Sequence, residues 1–122
     1  MEQGESGAEP RPSMSGGRWL GLLLAAAAVV ACTTVTLPSI TDADVERARE
    51  VSPEISRASL ERGRSLYRTR CSTCHEPFLP VTRDAEAWTH VLAEMAPRAR
   101  LDDGERALVF AYLATFARGA AD

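Results

Sequence analysis

Two thiols and an imidazole are gathered at Cys71-Ser72-Thr73-Cys74-His75. Cysteines two residues apart on one turn can each add an S–H across one of the two vinyl groups of a single porphyrin. An imidazole directly after the second thiol can bind the iron from the same side. C-x-x-C-H is the attachment motif for c-type haem. It implies one covalent haem c held by Cys71 and Cys74, with His75 as the proximal iron ligand. The other ring nitrogen of His75 is expected to donate to a carbonyl of the Pro77 to Pro80 loop, fixing the tautomer and raising ligand basicity.

Three competing chemistries fit less well. A disulfide between Cys71 and Cys74 would close too short a loop to stabilise much. A thioredoxin-like redox pair would need a βαβ setting, which the pattern lacks. A zinc site would require Cys71, Cys74, His75 and His90, whose histidines are much further apart than the usual zinc spacing. The sixth iron position is expected to be filled by Met95. At about 100° per residue, Met95 shares a helical stripe with Trp88, Val91 and Leu92, whereas His90 falls on the opposite face. The plainer roles are core filler for Met95 and a solvated surface position for His90.

The elements that must hold these groups are helical. Leu60, Gly63, Leu66 and Tyr67 predict a helix from about Ser56 or Ser59 to Arg70, leading straight into the cysteines. Asp84 is a candidate N-cap for a second helix that Pro97 is expected to stop. A capping box at Asp102 to Glu105 opens a third, with Leu108, Val109, Tyr112, Leu113 and Phe116 at helical spacing and Arg118-Gly119 at its end. A shorter helix over Asp42 to Val51 is interrupted by Ser52-Pro53. No apolar and polar alternation suggests a sheet, so the fold class is all-α. Residues 56–122 fall below the roughly 70 to 80 residues at which one core suffices, so a staple such as a bound haem is expected.

Gly63 and Tyr67 ahead of the motif, Trp88 and Met95 in the middle helix, and Tyr112-Leu113 in the last helix resemble small bacterial monohaem cytochromes c of the class I type, over about residues 56–118. The resemblance implies three main helices around one covalently bound haem, and a carrier of single electrons between redox partner proteins, not an enzyme. It also implies that the first and last helices cross closely, with Gly63 facing Tyr112 or Leu113. The chain departs from the family in its short segment between His75 and Met95 and in having no lysine docking ring. Alternatives are a haem c electron-entry subunit of a larger oxidoreductase, a small peroxidase or a haem-based ligand sensor; the last two need an open or labile sixth position.

The N-terminal region reads as an export signal. Trp19 to Ala31 is an uncharged apolar run preceded by Arg18 and ending in small residues. Glu2, Glu5 and Glu9 are unusual in a leader, which makes Met14 the expected true start. Val29-Val30-Ala31-Cys32 resembles the lipobox of bacterial lipoproteins, implying lipid attachment at Cys32 and a membrane-anchored periplasmic protein; Thr33 favours the outer membrane in a Gram-negative host. Ordinary cleavage after Ala31 is one alternative. An uncleaved anchor is another, although the run falls short of the ~20 residues needed to span. The expected organisation is a signal peptide over 1–31, a lipidated N-terminus and tether with a short helix over 32–55, and a cytochrome c domain over 56–122. Residues 33–41 are rich in Thr and Ser and read as the tether itself.

Fourteen arginines and no lysine stand against seventeen acids, for a net charge of -3, which gives no general footprint for nucleic acid. Arg57, Arg62, Arg64, Arg68 and Arg70 nevertheless crowd one segment. They read either as a solvated helix face or as a patch that pairs with haem propionates or steers an acidic redox partner.

Overall fold

The computed structural model describes residues 34–120. Four α-helices follow an extended N-terminal segment: α1 (Asp42–Val51), α2 (Arg57–Arg70), α3 (Ala85–Arg98) and α4 (Asp103–Thr115), with short 3₁₀ turns at Cys71–Thr73 and Pro80–Thr82. Among the described residues there is no strand. The all-α class is therefore as expected.

Each helix begins where a side chain can accept a backbone N–H left free in the first turn. Thr41 and Asp44 form a capping box on α1, and Asp102 and Glu105 form one on α4. Ser56 caps α2 by accepting from the Ser59 N–H, and Asp84 caps α3 by accepting from that of Ala87. Pro97 does not end α3 as expected. The helix runs on to Arg98, because a proline near the C-terminal end removes one hydrogen bond without blocking the residue after it. The end comes in a Schellman arrangement, with Leu101 N–H donating to Ala96 O at 2.9 Å and Arg100 N–H to Pro97 O at 3.2 Å. Arg100 occupies the left-handed position (φ 54°) usually given to glycine.

The core lies where α2 crosses α4, with α3 packed along α4. Leu60, Leu66, Tyr67, Trp88, Leu92, Val109, Tyr112 and Leu113 are buried there. Tyr67 stands edge-on to Trp88, ring centres 6.0 Å apart, and 6.4 Å from Tyr112. Gly63 sits at the crossing. A Cβ on it would lie 2.1 Å from Leu108 O and 3.1 Å from Tyr112 Cβ, so the close approach needs a residue without a side chain. Gly63 therefore faces Tyr112, as expected, together with the Leu108 backbone.

The tether expected over residues 33–41 is a packed part of the domain from Val35 onward. Leu37 and Ile40 are buried in the same core as Leu60 and Tyr112. Three carbonyls of this segment accept from the helices: Leu37 O from Arg64 at 3.1 Å, Pro38 O from the Tyr112 hydroxyl at 3.0 Å, and Ile40 O from Arg57 at 2.6 Å. The folded body therefore begins near Val35 and not near Ser56. Helix α1 is fixed to α2 by the Arg57–Asp42 ion pair, 2.6 Å.

Candidate functional site

The last turn of α2 feeds directly into the 3₁₀ turn Cys71–Thr73, which brings Cys71, Cys74 and His75 to the mouth of a cleft between α2 and α3. Both cysteines are free thiols, Cys71 half-buried and Cys74 exposed. Burial pushes the Cys71 thiol up, so it stays protonated at neutral pH. The far wall is the stripe Trp88, Val91, Leu92 and Met95 of α3, and Tyr67 and Phe78 complete the apolar lining. The cleft encloses about 330 Å³, within the ordinary range for a site that takes an organic group.

His75 is exposed, and its Nδ1–H donates to Glu76 O at 2.9 Å. The expected acceptor, a carbonyl of the Pro77 to Pro80 loop, is corrected by this contact. Two carbonyls of that loop are already taken: Phe78 O accepts from the Tyr67 hydroxyl and Pro80 O from Trp88 Nε1, each at 2.8 Å. These two bonds pin the loop to the aromatic core and hold its turn over the cleft. Burial raises the Tyr67 hydroxyl well above the ordinary phenol range, with the Cys71 thiol acting in the same direction, so Tyr67 serves as a donor.

Arg83 was not singled out by the sequence, yet it closes one side of the cleft. Its guanidinium lies 4.8 Å from the Phe78 ring centre and 5.1 Å from that of Trp88, a doubly stacked cation. Arg70 and Arg98 also line the cleft. Arg98 falls three residues after Met95 on the same helix face, a signal that the spacing contained. The arginine row read from the sequence divides differently. Arg57 and Arg64 hold the N-terminal segment, and Arg62 faces Glu105 at 3.9 Å, leaving Arg70 as the one member of that row at the cleft.

Of the expected site residues, Cys71, Cys74, His75 and Met95 share one lining, whereas His90 is exposed and outside it. Among the described residues no three His, Cys, Asp or Glu side chains gather as a metal site, so the four groups of the zinc alternative do not converge. Cys32, Met14 and the whole export segment lie outside the described residues. A larger groove of about 890 Å³, lined by Ala48, Val51, Phe110, Ala111 and Ala114 among others, contains no thiol, thioether or imidazole.

The lining suits a haem. Aromatic and aliphatic side chains match the macrocycle, the two free thiols match its vinyl groups, the imidazole and thioether match iron, and three guanidinium groups match its carboxylates. A family model described as dihaem cytochrome c matches residues 67–122, from the end of α2 through α4. The match supports a cytochrome c and haem-based electron transfer. The description speaks of two haems, whereas the chain has a single C-x-x-C-H. No curated protein and no solved structure matches the chain.

Proposed function

We propose that the chain carries single electrons through one haem c, joined to Cys71 and Cys74, ligated by His75 and Met95, and held at a periplasmic membrane by a lipid on Cys32. The observation that carries this reading is the convergence of both thiols, the His75 imidazole and the Met95 thioether on the walls of one apolar cleft. Met95 is the sole thioether among the described residues. One haem is the count that a single pair of cleft thiols supports.

A haem bound in the cleft supplies a one-electron iron couple. The side chains account for the rest. Cys71 and Cys74 would hold the group through thioethers, each adding its sulfur and its proton across one vinyl group with no leaving group. Nδ1 of His75 donates to Glu76 O and leaves Nε2 for iron. Trp88 and Leu92 are buried and keep water from the distal wall, where Met95 lies. Arg70, Arg83 and Arg98 offer guanidinium donors to carboxylates, Arg83 from its place over the Phe78 and Trp88 rings. A cleft whose thiols and imidazole are all taken up in holding a haem favours a carrier between redox partner proteins over an enzyme. Val29-Val30-Ala31-Cys32 supports lipid attachment, and Thr33 supports sorting to the outer membrane in a Gram-negative host. Among the described residues no helix is long and apolar enough to cross a membrane.

Visible spectra of the purified protein, oxidised and reduced, with and without carbon monoxide, test the reading. A low-spin haem that titrates reversibly with one electron and ignores carbon monoxide is expected. A reduced form that binds carbon monoxide readily would indicate an open sixth position, and with it peroxidase or sensor chemistry.

A further inference from the structure

The segment Val35 to Thr41 behaves as a strap and not as a slack linker. Its first fixed point is the Val35 N–H, which donates to Glu76 Oε1 at 2.8 Å. Leu37 and Ile40 are buried, and the carbonyls of Leu37, Pro38 and Ile40 are each held by a side chain of α2 or α4. A chain fixed at so many points cannot sample the distances open to a Gly and Ser linker. Glu76 directly follows His75, so the strap delivers the N-terminal end of the domain to the haem-attachment turn.

A second pattern coincides with that end. Among the described residues the exposed large apolar side chains are Val35, Phe78, Leu79, Val81 and Val51. Three of these five lie in the loop just after His75, and a fourth, Val35, is bonded to Glu76 at the start of that loop. Leu79 is 39% exposed and Val81 57%, and both lie outside the cleft that the Phe78 ring helps to line. The hydrogen bonds from Tyr67 to Phe78 O and from Trp88 to Pro80 O hold the loop backbone in place.

We propose that this end of the domain is a membrane-contact surface: the strap fixes the anchored N-terminus beside the haem-attachment turn, and Val35, Leu79 and Val81 rest in the interfacial layer of the lipid. The inference rests on the lipid anchor at Cys32 proposed above. Only Thr33 and Thr34 separate Cys32 from Val35, and three Cα–Cα steps allow at most about 11 Å of extended chain. A protein anchored so close to its own apolar loop meets lipid there before it meets a soluble partner. The haem plane is then held at one angle to the bilayer.

The test uses the full, processed protein reconstituted in vesicles of phosphatidylethanolamine and phosphatidylglycerol, dried to oriented multilayers. The angular dependence of the ferric-haem electron paramagnetic resonance signal is recorded. Wild type is expected to show a marked angular dependence. A variant with about twelve Gly and Ser residues inserted between Thr33 and Thr34, reaching roughly 19 Å, is expected to lose it while keeping its visible spectrum and its membrane attachment. Leu79→Ser with Val81→Ser, at two exposed positions outside the cleft lining, should weaken the angular dependence with the strap intact. Wild type without angular dependence, or an insertion variant that matches wild type, overturns the inference. Protein recovered in the supernatant instead of the vesicle pellet overturns the anchor at Cys32, and this surface with it. If the double serine variant keeps full order but loses electron exchange with a soluble redox protein, the loop is a protein-docking surface and the lipid assignment fails.

Discussion

Replacing Gly63 by alanine should destabilise the domain although alanine is the better helix former. A Cβ at this position would stand 2.1 Å from Leu108 O, 2.7 Å from Leu108 C and 3.1 Å from Tyr112 Cβ. Ordinary carbon to oxygen contacts begin at about 3.3 Å, so α2 and α4 must part by about 1 Å. A gap of that size forfeits about a quarter to a half of each dispersion contact across it. The affected contacts are those of the central crossing, which buries Leu60, Tyr67, Val109, Tyr112 and Leu113. Overpacking costs about 1–3 kcal/mol, and the upper end applies because the obstacle is a helix backbone that cannot swing aside. The helix-propensity gain returns about 1 kcal/mol. The net loss is about 2 kcal/mol, which lowers Tm by about 8–16 °C in a domain of this size. Thermal unfolding of the haem-loaded protein, followed by far-ultraviolet circular dichroism, measures it. Gly104→Ala is the control, since its Cβ would meet only Asp102 Oδ1, at 3.3 Å. An unchanged or raised Tm for Gly63→Ala would refute the close crossing.

Arg100→Gly should stabilise the domain by about 1 kcal/mol, because glycine relieves the left-handed strain at the end of α3 (φ 54°) and keeps the Schellman bonds; a lower urea midpoint would contradict this. Met95→Ala should admit carbon monoxide to the reduced iron, lower the redox potential and remove the far-red band of thioether-ligated ferric haem, while His90→Ala, on the exposed face of α3, leaves all three unchanged; the reverse pattern would assign the ligand to His90. Burial alone would push the Asp44 carboxyl up, but the Thr41 hydroxyl and backbone N–H and the Arg47 and Arg57 charges together hold it below its ordinary 3.8. A lowered folded value means that this stabilisation is present above pH 3.8 and is lost as pH falls through the lowered value. Urea unfolding at a series of pH values should therefore show the advantage of wild type over Asp44→Ala constant near neutrality and shrinking in acid; an advantage that grows on acidification would invert the sign.

The helices, and the residues that converge on the cleft, are legible in the sequence because their signals are local. Asp84 and the Asp102 to Glu105 box announce their own helix starts, and a rotation of about 100° per residue separates Met95 from His90 without any tertiary information. The strap was not legible. Residues 33–41 have no helical or strand periodicity, and the packing of the segment from Leu37 to Ile40 depends on Arg57, Arg64 and Tyr112, which lie 17, 27 and 74 residues from the carbonyls they hold. The arginine row misled for the same reason. Nothing local distinguishes an arginine that clamps a distant backbone, such as Arg64, from one that lines a cleft, such as Arg70. Arg83 escaped attention because its role is set by two rings, Phe78 and Trp88, that only the folded loop brings around it. The His75 acceptor is not legible in the sequence, because the choice between Glu76 O and the carbonyls of the next few residues depends on the path the loop takes once Tyr67 and Trp88 hold it.

The central claim is that Cys71, Cys74 and His75 form the attachment site of one haem. Intact mass spectrometry of the processed protein after acid-acetone extraction tests it most directly. The pigment should stay with the polypeptide, the mass should exceed that of the lipid-modified chain by one haem, and Cys71→Ala with Cys74→Ala should remove that increment. Pigment that leaves with the acetone, or a wild-type mass with no haem increment, would contradict the account.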